Sequence, residues 1–480
     1  MEKIIQHQDP FCSGAFILNP NQEGYVPFKD NSLIYLTQEN NEGLKRQILK
    51  LIDESQFVLK ICSFIITDKE VFNAILNKAK QHRTAIFILT QLDDSKLKNT
   101  SELSNYLTEE ELKENTVQAH LYCIKTLYDN GVHVRAATTA HAKFIVSDRS
   151  IGFLTSANLT TPSLVLNTET GVYLNQTDAM DLDKLFDVIF QRGTRYRQYI
   201  TATKKKNFIG QSDLNISKEQ LPNTEHALIR YTYEQLTHNL YEEIVGMICL
   251  AEKYIYLSTY SIVGLENLPE FQDAITNAIA RNIRIYVFCR GMNYRNDHLK
   301  ACEWLNRAGC HIYADLYNHS KGIISESKGM IFTANIDGNH GLINGFEVGY
   351  ILNEQQRMMM FELHKYLISS SVYIFTANPI RQHFFDTYSS YEKTKGISAP
   401  VFPQQISITM RSGLSVNHAE LLERPVFYAQ TKDQKFLQAG ASLYKCNYHD
   451  GTFHLISKEI MKYDIEKYIL KYFNLKIQFN

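Results

Sequence analysis

Two histidines and two lysines set the chemistry that this chain can do. His141 and Lys143 stand two residues apart, as do His319 and Lys321, and the two histidines are 178 residues apart. Each pair is followed by an acidic residue (Asp148, Glu326), an asparagine (Asn158, Asn335) and a glutamate (Glu169, Glu347) 28 residues after its histidine. A phosphodiester is anionic and resists water. Its cleavage needs a strong nucleophile, a proton for the leaving oxygen and cations on the non-bridging oxygens. Imidazole titrates near neutral pH. One histidine can therefore attack phosphorus, while the other protonates the leaving oxygen and then deprotonates water. Lys143, Lys321, Asn158 and Asn335 would hold the phosphoryl oxygens as charge builds up. Glu169 and Glu347 would accept a hydrogen bond from the far nitrogen of each ring. No metal and no cofactor is called for, because the cations are side chains.

A lone His-x-Lys arises often by chance; two copies trailed by the same residue types at nearly fixed spacing do not. An ordinary strand pair with a satisfied surface histidine leaves the repeat unexplained. The residues resemble the phospholipase D superfamily, whose signature is His-x-Lys-x4-Asp followed by Gly-Ser-x-Asn or a close variant. The first copy fits, with Thr155-Ser156-Ala157-Asn158 in place of the Gly-Ser form. The second carries Glu326 for the aspartate and Thr333 for the serine, and its turn after Glu326 is one residue shorter. The resemblance implies His141 as nucleophile, forming a phosphohistidine, and His319 as general acid/base. It keeps Asp148 and Glu326 as secondary candidates with a structural role. It also implies two halves packed with pseudo-two-fold symmetry and both motifs in one cleft.

The elements around the motifs repeat too. Leu44, Ile48, Leu51 and Ile52 recur at helical spacing, and so do Leu240, Ile244, Met247 and Ile248. Buried strands over 57–63 and 254–259 match at an offset of 196, strands over 84–89 and 283–288 at 199, and the turn-and-strand segments 130–134 and 308–312 at 178. Each His-x-Lys is read as lying in a strand, over 142–146 and 320–324, where side chains two apart share a face. Second strands follow over 151–155 and 330–333. The drop in offset gives the first half about 21 extra residues within 91–119, a charged stretch read as a solvated helical hairpin rather than a substrate-guiding lid. Helices alternating with buried strands predict an α/β fold. With the resemblance, it becomes two tandem phospholipase D-like α/β/α sandwich units over 1–200 and 201–397, plus a small α+β appendage over 398–480. In the appendage, strands over 405–410, 426–429, 441–447 and 452–456 are expected, with a hairpin at Asp450-Gly451. A final helix is expected over 458–472.

Composition narrows the class. With 480 residues and 44% apolar content there is material for large cores. The net charge of −1 gives no global basic field, which argues against a nucleic-acid coat protein. A polyanion would have to be held locally. Arg192, Arg195, Tyr196, Arg197 and Tyr199, ahead of Lys204, Lys205 and Lys206, could grip a nucleic-acid backbone and stack on bases, or simply close a solvated helix. Neither a signal peptide nor a membrane helix is read, and the longest apolar run, 57–67, is broken by Lys60. Eight scattered cysteines without Cys-x-x-Cys read as reduced thiols of a cytoplasmic protein. His133, His311, His340 and His418 are read as structural or surface residues.

Within the family, Asp148 and Glu326 set the chain apart from tyrosyl-DNA phosphodiesterases, and the lack of membrane helices sets it apart from cardiolipin-type synthases. The run from Thr155 to Thr160 resembles the nuclease-type branch of DNA-processing and defence proteins. The expected activity is that of a metal-independent DNA endonuclease, with nucleic acid as substrate and no stable membrane insertion. A cytosolic phospholipase D or phosphatidyl transferase is the alternative, and a non-catalytic binding protein is the third class. The appendage is open to substrate, a protein partner or a second copy of the chain. The residue types alone predict that cleavage persists in EDTA; a strict need for added divalent metal in a phosphodiesterase assay would refute the two-histidine chemistry.

Overall fold

The computed structural model describes residues 14–24, 26, 28–29, 31–91, 116–137, 140–192, 196–198, 216–292, 295–379, 383, 405–423, 426–430, 434–439, 442–459, 469–473 and 476–479. The chain forms two compact units. One comprises Glu23–Arg290 with Tyr317–Ser370; the other comprises Met1–Gln22, Gly291–Leu316 and Ser371–Asn480. Every residue of the two motifs belongs to the first.

That unit contains the same framework twice. Its first half runs β1 (Tyr35–Gln38), α1 (Gly43–Glu54), β2 (Val58–Cys62), α2 (Lys69–Lys80), β3 (Ala85–Thr90), α3 (Thr116–Asp129), β4 (His133–Ala137), β5 (Phe144–Ser147), β6 (Ile151–Thr155), β7 (Glu169–Tyr173) and α4 (Gln176–Arg192). The second half runs β8 (Ile229–Tyr233), α5 (Asn239–Leu250), β9 (Tyr254–Ser258), α6 (Pro269–Ala280), β10 (Arg284–Arg290), β11 (Gly322–Ser325), β12 (Gly329–Phe332), β13 (Phe346–Ile351) and α7 (Glu354–Ser369). In the first half the strands lie in the order β3-β2-β5-β6-β7-β1, in the second β10-β9-β11-β12-β13-β8. The pair β2–β3 is parallel and β2–β5, β5–β6, β6–β7 and β7–β1 are antiparallel. The senses repeat strand for strand in the second half.

Alternation along β2 shows why helices cover both faces. Leu59 and Ile61 pack with Leu44, Ile48 and Ile75 of α1 and α2. Lys60, between them, points the other way, and its buried ammonium pairs with Asp183 at 2.5 Å and Asp187 at 2.8 Å on α4. The residue that interrupts the apolar run is thus neutralised inside the fold rather than exposed, as a buried cation must be. The four apolar positions of α1 and the four of α5, at an offset of 196, are all buried.

The strands carrying the motifs begin later than expected, at Phe144 and Gly322 rather than at residues 142 and 320. His141, Lys143, His319 and Lys321 occupy the extended lead-ins. The reason is a different hydrogen-bond partner. The N–H of Ala142 donates to Phe346 O at 2.8 Å and that of His319 to Thr168 O at 2.9 Å, so each lead-in is tied to the other half.

In the second unit, Ala15–Leu18 pairs with Tyr373–Thr376, which pairs with His311–Asp315. A separate seven-stranded sheet has the order 469–473, 426–430, 435–439, 442–449, 452–459, 405–410, 476–479 around a core that includes Ile408, Val426, Leu437, Tyr444 and Phe453. The hairpin at Asp450-Gly451 forms, with both residues at positive φ as its two-residue turn requires. Of the helix expected over 458–472, the described ends are strand instead, and 460–468 lie outside the described residues. Lys458 and Glu459 still pair with Tyr444 and Leu443, and Ile469–Phe473 is a strand against Val426–Ala429; cross-strand pairing overrides local spacing there. Most of the polar insert, the basic–aromatic stretch beyond Arg192 apart from the short strand Tyr196–Gln198, and the composition change near Ser398 lie outside the described residues.

Gly171 and Gly349 lie at the repeat offset on β7 and β13, against the core helices. A Cβ at Gly171 would stand 2.5 Å from Leu44 Cδ2, and one at Gly349 2.6 Å from Leu240 Cδ1. Gly171→Ala and Gly349→Ala should each destabilise the fold by about 1–3 kcal/mol through overpacking. Gly246→Ala, in open space on α5, should instead stabilise it by about 1 kcal/mol. Urea unfolding midpoints distinguish the two outcomes.

Candidate active site

The lead-ins to β5 and β11 come together through bridges between halves, Ala140 with Phe346 and Asn318 with Thr168. They place each histidine beside the glutamate strand of the opposite half. His141 Nδ1 lies 2.6 Å from Glu347 Oε1, and His319 Nδ1 lies 2.7 Å from Glu169 Oε1. The partnership expected of the glutamates is present, and it is crossed: the glutamate 28 residues after a histidine serves the other one.

Each glutamate is fixed from its own half by the other oxygen. Ser156 Oγ donates to Glu169 Oε2 at 2.5 Å and Thr333 Oγ1 donates to Glu347 Oε2 at 2.5 Å. The same hydroxyls accept from the backbone, Ser156 Oγ from Thr170 N–H and Thr333 Oγ1 from Val348 N–H, both at 3.0 Å. Threonine at 333 therefore does what serine does at 156. The lysines fold back on their own histidines: Lys143 Nζ donates to His141 O at 2.6 Å and lies 3.0 Å from His141 Nε2, and Lys321 Nζ donates to His319 O at 2.7 Å. Asn158 and Asn335 follow β6 and β12 and are buried with the rest.

Asp148 and Glu326 stand apart. They follow the far ends of β5 and β11 and take backbone N–H groups there: Asp148 from Gln56, Phe57 and Val58, Glu326 from Glu252, Lys253 and Tyr254. These bonds hold both carboxyls below the usual carboxylate range against the opposing effect of burial. The acidic residue of the motif thus pins the start of the neighbouring strand and does not meet the histidines.

Two ring contacts escaped the sequence reading. Phe64 lies edge-on to His141 at 5.3 Å and Tyr260 edge-on to His319 at 5.1 Å. They stand at the offset of 196 already seen in their strands, which was the available signal.

Electrostatics separate the two halves. Burial pushes the His141 imidazole down to about 4, although Glu347 opposes the shift. Burial works to raise the Glu347 carboxyl, but His141 and Lys143 beside it and the hydroxyl of Thr333 outweigh burial and hold it below its ordinary value. The Glu169 carboxyl is pushed up by burial to about 7, with Lys321 and Ser156 opposing. At neutral pH His141 is a neutral ring, donating Nδ1–H to an ionised Glu347 and keeping its lone pair on Nε2. The His319–Glu169 pair retains one additional proton until about pH 7.

The family profile described as cardiolipin synthase, phospholipase D-like domain matches residues 48–192. No curated protein matches the chain in sequence. Among solved structures, polyphosphate kinase from Porphyromonas gingivalis is similar at 12% identity and a TM-score of 0.44, covering 69% of this chain; this chain spans 50% of that one. Phosphatidylserine synthase from Haemophilus influenzae Rd KW20 is similar at 12% identity and a TM-score of 0.49, covering 76% of this chain and 90% of its own. Nuc, a phospholipase D family member from Salmonella typhimurium, is similar at 17% identity and a TM-score of 0.26, over 30% of this chain and 93% of its own.

The crossed geometry predicts which ring each glutamate governs. Glu347→Gln should change the tautomer and ¹⁵N shifts of His141 and leave those of His319 in place, and Glu169→Gln should do the reverse. Shifts that follow the 28-residue spacing instead would contradict the crossing.

Proposed function

We propose that this chain, whose residues 48–192 match a phospholipase D-like domain, hydrolyses phosphodiesters in DNA through a phosphohistidine, without a metal. The crossed His–Glu network carries this reading. It holds two imidazole–carboxyl pairs, each with a lysine, in one buried site, with the Glu169 carboxyl pushed up and the Glu347 carboxyl held down.

His141 is the nucleophile. Its ring is neutral, Glu347 holds the Nδ1 proton, and the Nε2 lone pair is the one that attacks phosphorus. As the N–P bond forms and the P–O bond breaks, the leaving oxygen takes the proton held by His319 and Glu169. Water then loses a proton to His319 and attacks the same phosphorus; the N–P bond breaks and His141 returns to its starting form. Lys143 and Lys321, with Asn158 and Asn335, steady the charge on the non-bridging oxygens. Asp148 and Glu326 have no step.

For DNA, the support is the likeness of the Thr155–Thr160 run to the nuclease-type branch. Among the described residues, no helix is long and apolar enough to cross a membrane. A phospholipase D or phosphatidyl transferase acting at a lipid surface is the competing reading, favoured by the wording of the matching family profile. The chemistry at phosphorus would be the same.

Incubation in EDTA with plasmid, single-stranded DNA, RNA and phosphatidylcholine vesicles decides the substrate. DNA should be cut, and His141→Ala and His319→Ala should each lower the rate by at least about 10²–10⁴-fold; lipid turnover with DNA left intact would overturn the nuclease reading. His319→Ala should also trap a phosphorylated His141, seen as a mass increase on that peptide.

The pH profile follows from the two shifts. Activity needs His141 without its second proton, which holds above about 4. It also needs the proton on the His319–Glu169 pair, which is lost as pH rises through about 7. The rate should therefore peak between these limits and fall on both sides. A rate that rises steadily to pH 9 would assign the acid wrongly.

A further inference from the structure

Gln91 directly follows β3, at the carboxyl edge of the parallel pair β2–β3, the edge of an α/β sheet where ligands gather. Its main chain is fully engaged. The Gln91 N–H donates to Phe64 O at 3.2 Å, and Phe64 packs on His141. On the other side His120 takes the N–H of Ile66 on Nδ1 at 3.1 Å, which leaves Nε2–H to donate to Gln91 O at 2.9 Å. His120 is buried, and burial pushes it down to about 4, so this clamp stays neutral. Thr90 Oγ1 adds a bond to Phe64 O at 3.1 Å.

The side chain does the opposite. Gln91 is 1% exposed, yet both its carboxamide oxygen and its nitrogen are buried without a hydrogen-bond partner. A backbone bonded to the carbonyl of the residue whose ring packs on His141 therefore carries a donor and an acceptor side by side, both unpartnered. Buried polar groups are nearly always paired, and an orphan calls for an explanation. The second half has a polar residue at the same place. Arg290 ends β10, its N–H donates to Tyr260 O at 3.2 Å, and its guanidinium carbon lies 5.7 Å from the centre of the Tyr260 ring that packs on His319. The frame thus puts one long polar side chain at the same place in each half, on a backbone bonded to the residue whose ring packs on the histidine: neutral Gln91 in one half and cationic Arg290 in the other.

We propose that Gln91 is a specificity-determining residue that contacts substrate. Its carboxamide takes a neutral group offering both a donor and an acceptor, on the part of the substrate that remains attached to His141 after the first step. Resting on the nuclease reading, that group is a nucleobase edge: a glutamine amide pairs in two-point fashion with adenine.

The test uses the full-length chain with Gln91→Leu and Gln91→Glu. Three substrates are compared in EDTA: an oligonucleotide, the same oligonucleotide with abasic sites around the cut, and bis(p-nitrophenyl) phosphate, which lacks any such group. Replacing an unpaired buried amide by an apolar side chain of like size is neutral or stabilising. Gln91→Leu should therefore keep or raise Tm while kcat/KM on the intact oligonucleotide falls by about tenfold, mostly in KM, relative to its fall on the small diester. Wild type should show the same preference for the intact over the abasic strand, and Gln91→Leu should lose it. A drop in Tm with equal losses on all three substrates makes Gln91 a packing residue and overturns the proposal, as does an unchanged preference. If wild type cuts no oligonucleotide but turns over phosphatidylglycerol vesicles, the nuclease reading fails by itself. The ratio of vesicle to small-diester rates in Gln91→Leu then judges Gln91: a selective loss upholds the contact, and an equal one removes it.

Discussion

The whole site depends on two hydrogen bonds that cross from one half of the duplicated frame to the other. A histidine without its carboxylate has no fixed tautomer, and a carboxylate buried without a partner is costly to keep. Each half supplies a histidine whose carboxylate is in the other half, His141 with Glu347 and His319 with Glu169. Neither half can complete even its own pair. Assembly of the two halves and orientation of the two rings are therefore one event. The backbone bridges at Ala140–Phe346 and Asn318–Thr168 set the same requirement at the level of the main chain. They also explain why the histidines sit ahead of the strands: within the strand they would be locked to their own half.

A symmetric frame need not give symmetric chemistry. Both glutamates are buried, and both receive a hydroxyl, from Ser156 or Thr333. Yet Glu169 is pushed up to about 7 while Glu347 is held below its ordinary value by His141, Lys143 and Thr333. The two-step substitution proposed for this site would use such a division, because the attacking ring must be unprotonated while its partner pair carries a proton. The frame supplies position twice; the surroundings of each carboxyl set its proton affinity apart from the other's.

Residues that look alike in the motif turn out to act at different levels. Asp148 and Glu326 stay at the outer ends of their strands and take three backbone N–H groups each, so they preserve the register on which the histidines depend. Lys60, which looked like a break in an apolar run, is a buried cation matched by Asp183 and Asp187. Gln91 is the converse, a buried side chain that the fold does not satisfy.

The residue types by themselves carried the resemblance to the phospholipase D superfamily, the repeat offsets and most of the framework. Spacing of 3.6 and of two, repeated at offsets of 196 and 178, reveals helices and strands because burial on one face imposes those periods locally. Tertiary structure alone decided the crossing of the glutamates, the structural task of Asp148 and Glu326, and the ring neighbours Phe64 and Tyr260. It also turned the expected helix over 458–472 into strand pairing at both ends. Local periodicity reports which face of an element is buried, but not which segment, distant along the chain, lies opposite it. Hydrogen bonds and desolvation act between exactly those segments, so partner identity and protonation state become readable only once the chain has folded.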